Sequence, residues 1–189
     1  MIIRKKYDFE SSHIVRKASS DRCRKSIHGH SYKVEIEIEG STLTEGHMLI
    51  DFIDLKLIKK FVDIFDHCHM LGTHDINEHD EFSRQILDNS ERVVILPMNA
   101  SAEAISLIIL MACEYMMSEG SMIPNSANCK MKSVTVHETA TGSATACPED
   151  IDDMIGYMKG SRLIDIRYQL GDTELQSVIE YINNRHGKL

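Results

Sequence analysis

Residues 28–40 read HGHSYKVEIEIEG, and this stretch constrains the fold more than any other. Val34, Ile36 and Ile38 share one face, while Lys33, Glu35, Glu37 and Glu39 share the other. Strict alternation of this kind predicts a half-buried β-strand, and Gly40 ends it. Side chains two residues apart lie on the same face of a strand, so the inward set extends back through Tyr32 to His30 and His28. Both imidazoles therefore aim where the core aims. Residues 2–13 predict a second strand of the same type, with Tyr7 and Phe9 inward and the parity extending to Ser11 and His13. A third, at 132–139, places Val134, Val136 and then Glu138 on one side.

Three imidazoles and one carboxylate thus end the apolar faces of three strands. Three neutral imidazoles suit a catalytic zinc that keeps an open fourth position. His28 and His30 can chelate one ion from a single strand, with Gly29 leaving room between them, and His13 can complete the set. Taken alone, each of these histidines reads first as a hydrogen-bonded core residue.

Other segments change period. Residues 54–65 carry Leu55, Ile58, Val62 and Phe65 on one helical face, with Asp51 or Asp54 as the cap. Residues 101–117 form an apolar helix, capped by Asn99 or Ser101, that packs on more than one side. The segment HMLIDF at 47–52 predicts a further strand. Residues 70–98 show weak periodicity and read as a long loop with at most a short helix. Beyond Pro148, a helical stripe runs through Ile151, Met154, Ile155 and Met158 to Gly160. A strand is expected within 163–170, and a last helix, capped by Thr173, turns Leu175, Val178, Ile179 and Ile182 inward. Two helices and a strand cannot bury a core alone. The expected organisation is one domain over 1–147 and an extension over 148–189, packed on that domain or on a neighbouring subunit.

Composition excludes several classes of function. The chain has 189 residues and a net charge of −8, which disfavours generic nucleic-acid binding. It has no long apolar run, so no membrane span or secretory signal is expected. Five cysteines without a CxxC pair argue against a disulfide framework and for a reducing, cytoplasmic setting. Cys113 reads as core, and Cys68, Cys129 and Cys147 lack metal spacing. HCH at 67–69 is a weak second metal motif. His47, His74, His79, His137 and His186 read as surface or loop residues. The charge is uneven: Arg16, Lys17, Arg22, Arg24 and Lys25 face only Asp21 between Ile14 and Ile27. That run is either a solvated loop or a local anion site.

The blocks FESSH (9–13), a cysteine at 23 followed by HGHSYKVEIEIEG, LIDFIDLK (49–56), FDHCHML (65–71), NASAE (99–103) and VHET (136–139) occur in one order. In that order they resemble the 6-pyruvoyltetrahydropterin synthase family, which includes 6-carboxytetrahydropterin synthase of the queuosine (7-deazaguanine) pathway. The resemblance covers about residues 1–147. It implies an α+β tunnelling fold: a four-stranded antiparallel sheet with two helices on one face, assembled into a homo-hexamer as a dimer of trimers with sites at subunit interfaces. It implies zinc on His13, His28 and His30, a catalytic thiol at Cys23, and an Asp66–His67 pair. It also implies a pterin anchor at Glu138, and Ser101 and Glu103 in a block usually written Pro-Thr-x-Glu.

The implied substrate is 7,8-dihydroneopterin triphosphate. The implied reaction is a carbon–oxygen lyase reaction giving 6-carboxytetrahydropterin and acetaldehyde, or a pyruvoyl product without acetaldehyde. The basic run then has a use, with some of Arg16, Lys17, Arg22, Arg24 and Lys25 expected to meet the triphosphate. Two departures stand out. Ala100-Ser101 replaces Pro-Thr, and the Cys-x4-His spacing falls between those of the two enzyme branches, so spacing does not choose the product. A non-catalytic zinc- and pterin-binding protein on the same fold is the alternative of a different class; it would not need Cys23, Asp66 and His67.

Overall fold

The computed structural model describes residues 1–77, 81–118, 121–157 and 164–185; His79, Met158, Gly160 and His186 lie outside them. In chain order the elements are β1 (Ile2–His13), α1 (Asp21–Lys25), β2 (His28–Gly40), α2 (Lys56–Val62), β3 (Cys68–Gly72), α3 (Thr73–Asn77) and α4 (Glu81–Asn89). Then follow β4 (Val93–Leu96), α5 (Ala102–Met117), β5 (Cys129–His137), β6 (Ser143–Ala146), α6 (Asp150–Ile155), β7 (Asp165–Ile166) and α7 (Thr173–Arg185). No described helix is long and apolar enough to cross a membrane.

The α+β class holds, but the sheet does not match the four antiparallel strands expected. It has seven strands in the order β6-β5-β2-β1-β3-β4-β7. One half, β6-β5-β2-β1, is antiparallel throughout. In the other half, β3 runs parallel to β1 and β4 parallel to β3, with β7 antiparallel at the edge. The extra strands are β3 and β4, largely from residues expected to be loop, β6, from residues given no element, and β7, in the tail stretch where a strand is expected. Residues 70–98 are not a loop: they hold most of β3, α3, α4 and β4.

The two halves are built on different patterns. The β1–β2 ladder runs without a register shift from Ile2↔Glu39 to His13↔His28. One face of it, with Tyr7, Phe9, Tyr32, Val34, Ile36 and Ile38, is buried. Helices α2 and α5 cover that face, and their Leu57, Ile58, Phe61, Ile105, Ile108 and Ile109 share its core cluster. By contrast, every residue of β3 and β4 is buried. Met70, Val94 and Leu96 join the main core, whereas Leu71, Val93 and Ile95 join a second, smaller core with Ile14 and Ile86. Strands buried on both faces lose the alternating signature, which is why these two escape a period-based reading.

Helix α5 is buried nearly all round because the tail packs on its far side. Ile151, Ile155, Leu175, Val178 and Ile182 belong to the main core, and Tyr181 stacks on Tyr115 with ring centroids 4.0 Å apart. Lys60 of α2 pairs with Asp172 at 2.6 Å. Asp172, not Thr173, caps α7, accepting from the backbone N–H groups of Glu174 and Leu175. The strand expected at 47–52 is absent. Leu49 and Ile50 are buried within a turn, and Asp51 accepts from the Ile53 N–H to start a short 3-10 turn before α2.

Candidate functional site

The uninterrupted β1–β2 ladder sets His13 opposite His28 and Ser11 opposite His30. Gly29 lies opposite Ser12, and a Cβ there would come within 3.2 Å of the Ser11 carbonyl oxygen. Glycine is what lets the two strands approach between the histidines. One ring nitrogen from each of His13, His28 and His30 lies within 4.8 Å of the others. This is the arrangement that strand parity predicts.

The outer nitrogens of two rings are already committed. His13 Nδ1 donates to the Ala100 carbonyl at 2.5 Å, and His28 Nδ1 donates to the Ser26 carbonyl at 3.0 Å. Carbonyls only accept, so each Nδ1 carries a proton, and a ring with no second proton presents its Nε2 lone pair. Those two Nε2 atoms face each other at 3.1 Å. Two lone pairs at that distance repel unless a proton or a metal ion stands between them. Two nitrogens on one tetrahedral zinc sit about 3.3 Å apart. Carbonyl partners on the outer nitrogens are the usual way of orienting metal-bound histidines.

Burial, the main cause, pushes His13 down to about 4, with the neighbouring histidines adding to it. Burial also lowers His30, partly opposed by Glu138. Neutral rings are the form that binds metal. The three histidines can therefore hold a metal ion.

Glu138 follows β5 directly, and its carboxylate lies 3.5 Å from His13 Nε2. The Tyr32 hydroxyl lies 3.2 Å from His13 Nδ1; burial first, and then the nearby Glu138 carboxylate, raises the phenol. Glu138 also lines a cleft of about 600 Å³ together with His30, Lys33 and Thr139. A second cleft, about 680 Å³, lies on the other side of His30 and is lined by Ser12, His67, His69 and Arg92.

Asp66 and His67 occupy the turn between α2 and β3. His67 Nδ1 bonds Asp66 Oδ2 at 2.9 Å, and the His67 ring is largely exposed. The turn is docked on β1 from both sides: the Glu10 N–H donates to Asp66 Oδ1, and the His67 N–H donates to the Glu10 carbonyl. Burial raises the Asp66 carboxyl, but the Glu10 amide and His67 outweigh it and hold the acid below its ordinary range. His67 adopts a left-handed φ of 53°.

Cys23 sits on α1, half-buried, and accepts a weak bond from the Ser20 hydroxyl at 3.5 Å. It lines neither cleft. The basic residues around it are partly engaged. Arg24 and Lys25 both pair with Asp21, and Arg16 reaches buried Asp75 at 3.4 Å and the Arg24 carbonyl at 3.2 Å. Arg22 shares α1 with them, and Lys17 takes a left-handed φ of 67°. Ser101 stands at the N-cap position of α5 but makes no capping bond, and Glu103 is exposed in the first turn.

The HCH segment does not act as a metal set among the described residues. His67 faces solvent, Cys68 is buried and pushed up to about 11 by that burial, and His69 bonds Ser12. Sequence reasoning missed the Ala100 and Ser26 carbonyls, because main-chain groups leave no residue signature. It placed Tyr32 on the inward face, and that parity was the available signal for its contact with His13.

A family model described as 6-pyruvoyl tetrahydropterin synthase matches residues 2–149. Two proteins named 6-carboxy-5,6,7,8-tetrahydropterin synthase, from two strains of Helicobacter pylori, are 36% and 34% identical over 154 residues, covering 81% of this chain and 76% of each relative. Among solved structures, an uncharacterized protein from Wolinella succinogenes superposes with a TM-score of 0.62 at 22% identity, covering 78% of this chain and 98% of its own. The 6-pyruvoyl tetrahydropterin synthase of Plasmodium falciparum superposes at 0.54 and 18% identity, covering 77% and 96%. Sequence and fold therefore agree, and the chain belongs to the 6-pyruvoyl tetrahydropterin synthase family.

Proposed function

We propose that this chain is a zinc-dependent lyase that converts 7,8-dihydroneopterin triphosphate to 6-carboxytetrahydropterin, releasing acetaldehyde and triphosphate. Atom balance adds one water, since the carboxylate and the aldehyde together need one oxygen more than the side chain supplies. The observation that carries the metal-dependent reading is the pair of His13 and His28 lone pairs facing each other at 3.1 Å, with both outer nitrogens tied to carbonyls. The names of the Helicobacter relatives favour the carboxy product over the pyruvoyl one.

His13, His28 and His30 would hold the zinc, which would supply Lewis-acid chemistry that makes the C–H bonds beside the substrate's side-chain oxygens more acidic. The Cys23 thiolate accepts the proton released from the side-chain carbon. Asp66 holds His67 Nδ1, which leaves Nε2 to exchange a proton with a side-chain oxygen. Glu138 can accept two hydrogen bonds from the amino-pyrimidine edge of a pterin. Ser101, whose hydroxyl makes no capping bond, and Glu103 flank the pterin end. Arg22, Arg24 and Lys25 attract the triphosphate. Cys23 lines neither cleft beside His30, which fits a site completed by a second subunit in a homo-hexamer.

The test is product analysis with and without bound zinc. Acetaldehyde formed in step with triphosphate, lost on chelation and restored by zinc, is the expected result. A pyruvoyl product without acetaldehyde would assign the other branch. Pterin binding with no turnover would assign a binding protein instead.

A further inference from the structure

The Asp66–His67 turn is gripped from below by two residues that the family motifs do not include. The helical run through α2 ends in a 3-10 turn at Asp63–Phe65, which leaves carbonyl groups without helical partners. Arg92 Nη2 donates to the Asp63 carbonyl at 3.2 Å, and Arg92 Nε donates to the Asp66 carbonyl at 3.1 Å. The Tyr168 hydroxyl donates to the Ile64 carbonyl at 2.7 Å and accepts from Arg92 Nη2 at 3.1 Å. The Arg92 guanidinium also lies 4.0 Å from the centroid of the Tyr168 ring. A cation at this place complements the negative end of a helix and closes off its carbonyls.

Both residues are tied to the sheet through the backbone. Arg92 immediately precedes β4, and its carbonyl accepts from the His69 N–H. Tyr168 follows β7, where the Arg167 N–H donates to the Val93 carbonyl. Tyr168 lies beyond residues 2–149, which carry the family match. The held segment also needs holding. A non-glycine residue at φ 53° is strained and persists only where its surroundings over-determine it.

We propose that Arg92 and Tyr168 are positioning residues for the Asp66–His67 pair, so that the edge strands and the tail after Pro148 form part of the active-site support. This rests on the reading of Asp66–His67 as the acid–base pair. A guanidinium fork that bonds two carbonyls across the turn sets where the His67 ring stands. Misplacing a catalytic group by about 1 Å can cost a hundredfold in rate.

The experiment uses the full zinc-loaded enzyme and the variants Arg92→Gln, Tyr168→Phe and His67→Ala, alone and combined. Arg92→Gln should lower kcat by about 10- to 100-fold with KM changed by less than about twofold. Tyr168→Phe keeps the ring on the guanidinium and should cost about two- to fivefold. In the His67→Ala background, Arg92→Gln should add less than about twofold, because the group it positions has gone. Arg92→Lys should recover part of the loss by restoring the cation. Hydrogen exchange at the Asp66 and His67 amides should quicken in Arg92→Gln while zinc content holds.

Equal losses from Arg92→Gln with and without His67 would sink the proposal and leave a general stabilising role. So would unchanged kcat and unchanged exchange in Arg92→Gln. A fully active His67→Ala would refute the acid–base reading itself, and the exchange data would then still decide whether Arg92 holds the turn.

Discussion

The antiparallel half of the sheet and the parallel half each bring one piece of the candidate site, and they do so by different means. In the antiparallel half, three histidines converge because alternation and an unbroken register leave them nowhere else to point. In the parallel half, His67 stands where it does because groups distant in sequence hold its turn: Glu10 on one side, Arg92 and Tyr168 on the other. A ligand set can be written into a ladder. A side chain in a turn at a strand entrance needs props from outside its own segment.

The largest expected effect lies in the ladder. His28 is half-exposed, so His28→Ala should leave the fold intact, abolish stoichiometric metal binding and lower kcat/KM on the order of a thousandfold or more. Metal analysis beside steady-state kinetics checks this. Metal retained at full occupancy would show that the ladder alone does not define the ligand set.

Next come the two halves of the sheet, compared through one residue of each. Ile36 on β2 and Met70 on β3 are both fully buried. Ile36→Ala and Met70→Ala should each cost about 2–5 kcal/mol in urea unfolding, within one cooperative transition. A separate early transition in Met70→Ala would make the parallel half an independently melting unit and widen the contrast between the halves.

A smaller effect concerns acid. Burial holds His69 down to about 4, below its usual 6.5, with Nδ1 on Ser12 and Nε2 buried without a partner. The unfolded chain therefore takes up a proton near 6.5 and the folded chain only near 4. Stability must fall as pH drops through that window. His69→Gln should flatten that fall by on the order of 1–3 kcal/mol, measured by unfolding between those limits. An unchanged acid slope would place the titrating groups elsewhere.

The smallest effect separates the cations. Arg24 pairs at the surface with Asp21, and Arg24→Ala should raise KM for the proposed triphosphate substrate by about two- to tenfold with stability unchanged. Arg16→Ala should do the reverse, since Arg16 meets buried Asp75: lower stability and nearly constant KM. Equal KM effects would return Arg16 to the triphosphate site.

What was legible follows the same division. Alternation exposes β1, β2 and β5, and parity alone places His13, His28, His30 and Glu138 at one end of the apolar face. Helical stripes expose α2, α5 and α7. The parallel strands β3 and β4 stayed hidden because Met70 and Leu71, or Val93 and Val94, bury side chains in different cores. HMLIDF misled because Leu49 and Ile50 are buried by a turn, and burial without pairing looks like a strand. The ties on Ala100, Ser26, Asp63, Ile64 and Asp66 involve main-chain carbonyls, on which composition is silent.

The unbroken pairing of β1 with β2 makes the candidate metal ligands sensitive to length as well as to identity. Inserting one residue between Phe9 and His13 would turn His13 to the opposite face while leaving every ligand in the chain. Inserting two would return it to the original face, one rung displaced. Tolerance to insertions in this segment should therefore alternate between odd and even lengths, a parity rule that no substitution scan would reveal.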